Sequence, residues 1–146
     1  MKALLQRVSN AHVEVKNQCV AHIENGLLIF LGVEKEDTEL DAQHLADRIL
    51  HYRIFADDLG KMNLNIQQSN KSILVVSQFT LAADTKKGLR PGFQTAAAPL
   101  IAETLYRFFI KALQQPNIKV ECGVFGADMQ VSLTNDGPVT FLLSSR

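Results

Sequence analysis

The sequence predicts an α+β domain in which two main helices pack on a mixed or antiparallel, partly barrel-like β-sheet. Short apolar segments that are β-branched or alternate with polar residues recur from the start of the chain to its end, as β-strands do. Two segments instead repeat their apolar residues at helical spacing. Because strands and helices do not alternate in regular βαβ units, the pattern favours helices set against a mixed sheet.

Length, composition and charge bound what such a domain can do. With 146 residues, 47% of them hydrophobic, the chain suffices for one substantial core, and we expect a single domain over residues 1–146. Fifteen basic residues balance fifteen acidic ones, so any nucleic-acid contact has to be local. The apolar runs fall far short of the ~20 residues that a membrane helix needs, and charge interrupts the N-terminal stretch. We therefore expect a cytoplasmic protein without a membrane partner.

The chain opens with predicted strands. Residues 3–8 are mostly apolar, and Val13 and Val15 alternate with polar neighbours. Residues 26–33 form an almost continuous apolar run, which is typical of a strand that is buried on both faces.

A charged connection at 34–39 leads into the first predicted helix. Asp37 or Thr38 is suited to cap its N-terminus. The stripe that we expect to pack on the sheet consists of Leu40, Leu45, Ile49 and Leu50.

The middle of the chain places polar side chains at the end of a buried strand. Residues 73–76 are aliphatic and continue into the polar segment 77–81, a position that often carries function. Residues 83–93 form a basic loop that is rich in glycine and proline.

The second predicted helix begins near Pro99, because proline suits the first helical turn, and ends before Pro116. Its apolar residues recur at helical spacing: Ile101, Leu105, Phe108, Phe109, Ala112 and Leu113. Alternating apolar residues then predict further strands at 118–124, 129–133 and 139–143.

Cysteine and histidine usage gives no sign of a metal site. Cys19 and Cys122 lack the spacing of a metal or redox motif, so we expect free, structural thiols in a reducing compartment. The four histidines show no ligand spacing either. We expect no metal and no cofactor.

Two segments are the best candidates for chemistry. The familiar signatures of serine hydrolases, phosphate-binding loops, zinc proteases and dinucleotide-binding folds are missing from the sequence. Ser77-Gln78-Phe79-Thr80 lies where a buried strand emerges, and residues 135–140 read Asn-Asp-Gly-Pro-Val-Thr beside apolar strand residues. Each segment alone is also typical of an ordinary strand or a surface turn.

Together, these segments resemble the D-aminoacyl-tRNA deacylase family, and the resemblance runs over essentially the whole chain. The matching segments are residues 6–8, 26–33, 52–55, 60–63, 77–81, 90–91, 126–131 and 135–140. In that family the Ser-Gln-Phe-Thr motif and the Gly-Pro of the C-terminal motif mark the active site, and both are intact here. Gly92 stands where the family usually has serine, so this chain has no side-chain hydroxyl at that position.

The resemblance implies hydrolysis of the ester that joins a D-amino acid to the terminal adenosine of tRNA. It places Ser77, Gln78, Phe79 and Thr80 at the catalytic centre, with the Phe79 amide facing the developing oxyanion. Thr80 is either a nucleophile or a substrate contact, and we favour the contact because no histidine or lysine is obviously placed to act as its base.

The resemblance also implies how the wrong hand of substrate is rejected. The Gly137-Pro138 bond is cis in the family and inserts into the active site of the partner subunit, which requires a homodimer. Its carbonyls form a wall that excludes L-aminoacyl groups, so we expect glycyl-tRNA to be cleaved as well.

Further residues are assigned to the pocket and to tRNA. Ala127 and Met129 are expected to line the pocket by resemblance, although Met129 alone reads as a core methionine. Lys86, Lys87 and Arg90 are the best local candidates for phosphate binding, and a solvated loop is the alternative.

Two other functions remain open from the sequence. One is an RNA- or nucleotide-binding module that has lost hydrolysis, which neutral charge and intact motifs disfavour. The other is a general esterase that acts through Thr80. We expect no DNA among the partners.

Overall fold

The computed structural model describes residues 1–145 and confirms the α+β expectation. In chain order the elements are β1 (Lys2–Val15), β2 (Gln18–Ile23), β3 (Gly26–Gly32), α1 (Glu39–His51), β4 (Phe55–Ala56), β5 (Met62–Leu64), α2 (Ile66–Ser69), β6 (Ser72–Ser77), α3 (Pro99–Leu113), β7 (Val120–Cys122) and β8 (Gln130–Ser144).

One mixed sheet organises the fold. Its strand order is β2-β1-β3-β6-β7, and β8 also pairs with β1, along residues 2–14 of that strand. Strands β3, β6 and β7 are parallel neighbours, whereas all pairs that β1 makes are antiparallel. Because β1 pairs with β3 through residues 2–8 and with β2 through residues 11–15, the sheet curls into a nearly closed, barrel-like shape.

The two faces of this sheet bury separate apolar clusters. The larger cluster lies between the sheet and the helices and combines strand residues such as Leu5 and Ile29 with Leu45 and Phe109 from α1 and α3. The smaller cluster is formed by strand residues alone and fills the inside of the curl. Burial on both faces explains why β3 and β6 read as continuous apolar runs.

Both predicted helices are confirmed. Thr38 caps α1 and forms a reciprocal capping box with Asp41, while Pro99 opens α3 at its first turn. The placement of Leu40 in the buried stripe is wrong, because Leu40 is 63% exposed at the start of α1. The longest helix has 15 residues, and no helix within residues 1–145 is both long and apolar enough to span a membrane.

Other differences from the sequence-based expectations concern strand length and cysteine burial. The segments predicted as separate strands before and after residue 10 form the single strand β1, and those on either side of residues 136–139 form β8. Cys19 and Cys122 lie on strands as free thiols, but both are exposed, whereas structural free thiols are usually buried. They occupy the solvent-facing side of short strands near the sheet edge.

Candidate active site

The candidate site begins where the buried strand β6 ends. Residues 73–76 are fully buried because β6 has parallel neighbours on both sides. The amide of Gln78 extends this ladder by donating to the carbonyl of Leu31 over 2.8 Å. The chain then leaves the sheet in a 3₁₀ turn, Phe79–Ala82. This turn packs on Gly32, where a Cβ would lie 2.8 Å from a side-chain carbon of the turn, so the close approach requires glycine.

The start of this turn leaves two backbone N–H groups free. The first N–H groups of a helical turn have no acceptor within the turn itself. The Gln78 amide has its acceptor in β3, whereas the amides of Phe79 and Thr80 meet no acceptor among the described residues. Adjacent free amides are suited to hold an oxygen that carries negative charge.

A pocket of about 300 Å³ opens beside the turn and is lined mainly by apolar side chains. This size lies at the lower end of the range for small-molecule sites. Among the residues that the sequence singled out, the pocket brings together Ser77, Gln78, Phe79, Ala127 and Met129. The remaining walls come from the end of β3, the first turns of α3 and the segment at 125–127.

Tyr106 of α3 is a pocket residue that the sequence analysis missed. Its hydroxyl donates to the carbonyl of Val75 over 3.0 Å, and its ring lies 5.6 Å from that of Phe125. Burial is the main cause that raises the pKa of Tyr106 above its ordinary value, and the neighbouring Cys122 adds to the rise. The tyrosine is therefore neutral at physiological pH, and its proton is already engaged.

Thr80 lies beside the pocket rather than in its wall. The side-chain amide of Gln78 donates to the Thr80 hydroxyl over 2.6 Å. The hydrogen bonds of residues 1–145 give this hydroxyl no histidine or lysine partner. An amide donor orients a hydroxyl without removing its proton, so this geometry fits a contact better than a nucleophile.

The Gly-Pro motif lies apart from this pocket, on an exposed excursion of β8 at residues 136–139. Asn135 and Thr140 still pair with β1, and the residues between them loop outward. Asn135 closes the loop because its side-chain oxygen accepts from the Val139 amide at 2.7 Å. The Gly137-Pro138 bond is cis, as the resemblance implied.

Arg7 fastens this excursion to the body of the protein. Its Nε donates to the Asp136 carbonyl over 3.0 Å, and another nitrogen of the guanidinium donates to the carbonyl of Ile54 over 2.8 Å. Gly137 has φ +144°, and a Cβ there would lie 3.3 Å from an Arg7 nitrogen and 2.6 Å from Val139 Cγ2. The position therefore excludes a side chain. A lone arginine in a strand gives no hint of this contact in the sequence.

The predicted phosphate-binding residues lie on a separate exposed loop at 84–92, here called the basic loop. Asp84 and Gly92 close its neck through two backbone hydrogen bonds of 2.7 and 2.9 Å. Lys86, Lys87 and Arg90 lie on the exposed arc between them. Because Gly92 acts here through its backbone, the closure needs no hydroxyl at that position. The described residues contain no cluster of three or more side chains suited to a metal ion.

Comparison with known proteins gives one consistent family. The family model for D-Tyr-tRNA(Tyr) deacylase matches residues 4–144. The D-aminoacyl-tRNA deacylase of Photobacterium profundum is 58% identical over 143 residues, which cover 98% of this chain and 99% of that one. The protein of the same name from Haemophilus influenzae is 56% identical over 144 residues, covering 99% of each chain.

Two solved structures share the fold of this chain. The c-Myc DNA Unwinding Element Binding Protein superposes with a TM-score of 0.94 at 39% identity, covering 100% of this chain and 99% of that one. A probable eukaryotic D-amino acid tRNA deacylase shares the fold with a TM-score of 0.83 at 17% identity, covering 97% of both chains. The resemblance carried by the motifs at 77–80 and 135–140 is thus confirmed, and the chain belongs to the D-Tyr-tRNA(Tyr) deacylase family.

Proposed function

We propose that this protein hydrolyses the ester between a D-amino acid and the 3′-terminal adenosine of tRNA. The observation that carries the proposal is the pair of free amides, Phe79 and Thr80, at the edge of an apolar pocket. Water adds to the ester carbonyl carbon, the bond to the ribose oxygen breaks, and that oxygen takes a proton. The products are the free D-amino acid and tRNA. The substrate class comes from family membership.

Backbone groups supply the main stabilisation in this mechanism. The carbonyl oxygen becomes negative as water adds, and the Phe79 amide donates to it. Gln78 positions the Thr80 hydroxyl as a substrate contact. The ribose 2′-hydroxyl next to the ester assists in activating water, and Ser77 contributes to the wall beside it.

Chirality is selected by the Gly137-Pro138 excursion of a partner subunit. The excursion is exposed, and Arg7 and Asn135 fasten it at its base, so its carbonyls can face a neighbouring molecule as a fixed wall. An L side chain collides with such a wall, whereas the hydrogen of a D-amino acid or of glycine does not. Glycyl-tRNA is therefore a second substrate.

The partner is a second copy of this chain. The row Leu4, Phe30 and Leu142, here called the apolar stripe, crosses adjacent strands at one register position of the sheet. Leu142 is 61% exposed, and the other two side chains are partly exposed. An apolar row of this kind on the surface favours association. One member of the stripe, Leu142, lies on β8, the strand that also carries the excursion.

The basic loop binds phosphates of the tRNA. Lys86, Lys87 and Arg90 are exposed and project beyond a neck that lies directly after the Phe79–Ala82 turn. Replacing all three with glutamine should weaken tRNA binding and reduce its dependence on salt. Binding that keeps its strength and its salt dependence in this variant contradicts the role of the loop.

A deacylation assay with matched D-, L- and glycyl-tRNA tests the proposed function. We expect rapid release of the D-amino acid and glycine and little release of the L-amino acid. Hydrolysis of all three substrates at similar rates would indicate a general esterase. Binding of tRNA without any hydrolysis would indicate a non-catalytic RNA-binding module. Either result overturns the proposal.

A further inference from the structure

The rings of Phe79 and Phe93 form an exposed aromatic pair to which the proposed mechanism gives no role, since Phe79 acts there through its backbone amide. The two rings contact each other with centroids 5.0 Å apart and planes tilted by 46°. Phe79 is 61% exposed and Phe93 40% exposed, although both side chains are large and apolar. Exposed apolar surface of this kind is typical of a binding surface.

The aromatic pair lies between the pocket and the basic loop. Phe79 lines the pocket and opens the 3₁₀ turn. Phe93 follows Gly92, which closes the neck of the basic loop with Asp84. The two rings therefore flank the loop in sequence and meet across its neck in space. A ligand that leaves the pocket over Phe79 reaches the Phe93 ring next, at the neck of the loop that carries the cations.

We infer that the aromatic pair is a stacking platform for the base of the nucleotide that precedes the terminal adenosine of tRNA, with Phe93 as the outer ring. This inference rests on the proposed function, since the ester at the Phe79 amide holds the terminal adenosine at the pocket. The single-stranded 3′ end then has to cross the pair. Aromatic faces stack on bases of any sequence, and neighbouring cations hold the backbone of single-stranded nucleic acid.

The charge of the basic loop and the flat rings of the aromatic pair both suit a single strand of nucleic acid. The basic loop contains Lys86, Lys87 and Arg90, whereas its carboxylate, Asp84, accepts from the Lys86 amide at the neck. Flat rings beside cations are suited to a strand with alternating bases and phosphates. An apolar protein partner would cover the rings but would leave the cations without a counterpart.

The test compares two substrates and three forms of the protein. The substrates are D-aminoacyl-tRNA and a 3′-D-aminoacyl-adenosine that lacks the preceding nucleotides. In Phe93→Leu, which keeps an apolar side chain but removes the ring, the ratio of kcat/KM for the first substrate to that for the second should fall about tenfold. Phe93→Trp restores a flat face and should keep the wild-type ratio. An unchanged ratio in Phe93→Leu overturns the inference.

A modified substrate keeps the test independent of folding. A D-aminoacyl-tRNA with an abasic residue in place of the penultimate nucleotide should lose about the same factor with the wild-type protein. Combining this substrate with Phe93→Leu should bring no further loss, because both changes remove one contact. Fully additive losses, or a wild-type protein indifferent to the missing base, overturn the inference.

Two other results have separate meanings. A sedimentation change in Phe93→Leu would assign the aromatic pair to a subunit interface and would also overturn the platform. If the wild-type protein cleaves neither D-aminoacyl substrate, the proposed function itself fails, and this outcome is distinct from every result above.

Discussion

At the scale of single residues, the Thr80 hydroxyl is held by a neighbour that cannot act as a base. Gln78 donates to it over 2.6 Å, and the free amides of Phe79 and Thr80 belong to the backbone and survive any change of side chain. We therefore expect Thr80→Ala to keep deacylation within about tenfold of wild type, the effect of one lost hydrogen bond. Single-turnover assays on D-aminoacyl-tRNA measure this rate. A Thr80→Ala protein that is folded but inactive would show that threonine is the nucleophile.

Tyr106 predicts how stability depends on alkaline pH. Burial raises the pKa of its hydroxyl in the folded protein above the value of about 10 for an unfolded tyrosine. Below that pH both states keep the proton. Above it the unfolded chain ionises first, so the free energy of unfolding falls as pH rises. Tyr106→Phe lacks this dependence, and its stability should fall less steeply between pH 9 and roughly 11.

Near neutral pH, Tyr106→Phe should cost about 1 kcal/mol, because the Val75 carbonyl also accepts from the Gly123 amide and keeps a partner. Urea unfolding of both proteins across this pH range measures both effects. Parallel stability curves above pH 10 would show that Tyr106 does not carry the alkaline dependence.

At the scale of elements, a buried ion pair ties the start of β1 to the segment before α1. The Met1 ammonium lies 2.5 Å from the Asp37 carboxylate, and both groups are almost fully buried. The second oxygen of Asp37 accepts from the Glu34 amide over 2.6 Å. Asp37→Asn leaves the buried ammonium without this counter-charge, so we expect a loss of about 3–5 kcal/mol in the free energy of unfolding.

Glu34→Gln is the matched control for that variant. Glu34 also approaches the Met1 ammonium, at 3.5 Å, but its side chain is partly exposed, so its contribution should stay below about 1 kcal/mol. Urea unfolding at pH 7 measures both variants. Equal losses in the two proteins would contradict the special role of Asp37.

The sequence predicts whether a segment is a helix or a strand, but it does not predict that two strand segments belong to one continuous strand. The helical periods of α1 and α3 and the apolar runs of β3 and β6 identify these elements because their burial is regular. The turn chemistry at 135–140 hides that β8 resumes the same pairing with β1 after the excursion, which only the register shows. Helix α2 is too short for any period and depends on its Asn65 cap.

The candidate site also has one part that the sequence predicts and another that it does not. The motif at 77–80 marks a strand end, and the sequence identifies it as a candidate site because polar residues there interrupt an aliphatic run. The contributions of Tyr106 and Arg7 arise from long-range packing, since one bonds to Val75 and the other to Ile54 and Asp136. Arg7 lies in a segment that matches the family, but the local sequence of neither residue indicates these contacts.

Arg7 connects the excursion to the body of the protein and should affect chirality without touching substrate. Its planar group bonds to two carbonyls at once, which a lysine cannot reproduce. We expect Arg7→Lys to lower the ratio of kcat/KM for D- over L-aminoacyl-tRNA by about tenfold or more, because a loosened excursion admits the wrong hand. The L-aminoacyl-tRNA rate is the informative measurement.

Asp136→Asn separates the two contacts that Arg7 makes with the excursion. This variant removes the ion pair at 3.3 Å, in which only the Asp136 carboxylate is well exposed, but keeps the backbone carbonyl that accepts from Arg7. The ratio of D to L activity should therefore stay near wild type, because solvent screens the exposed Asp136 carboxylate. A loss of discrimination in Asp136→Asn as large as in Arg7→Lys would show that the carboxylate, not the carbonyl, holds the excursion.

At the scale of the whole molecule, the position of the excursion requires a second copy if it is to act as a chiral wall. The pocket lining contains neither Gly137 nor Pro138, so within one described chain the two parts of the proposed site stay apart. The apolar stripe of Leu4, Phe30 and Leu142 gives the surface on which two copies can pack. Chiral discrimination and association should therefore change together.

Leu142→Asp tests this coupling. Leu142 is 61% exposed, so aspartate there is tolerated in the single chain, whereas a charge buried between two copies is costly. We expect sedimentation to show a shift from dimer to monomer, with loss of discrimination between D- and L-aminoacyl-tRNA in the same concentration range. Leu59→Asp, at an exposed leucine outside the stripe, is the control and should keep both properties. A monomeric Leu142→Asp protein that still rejects L-aminoacyl-tRNA would place the chiral wall within a single chain and remove the need for a partner.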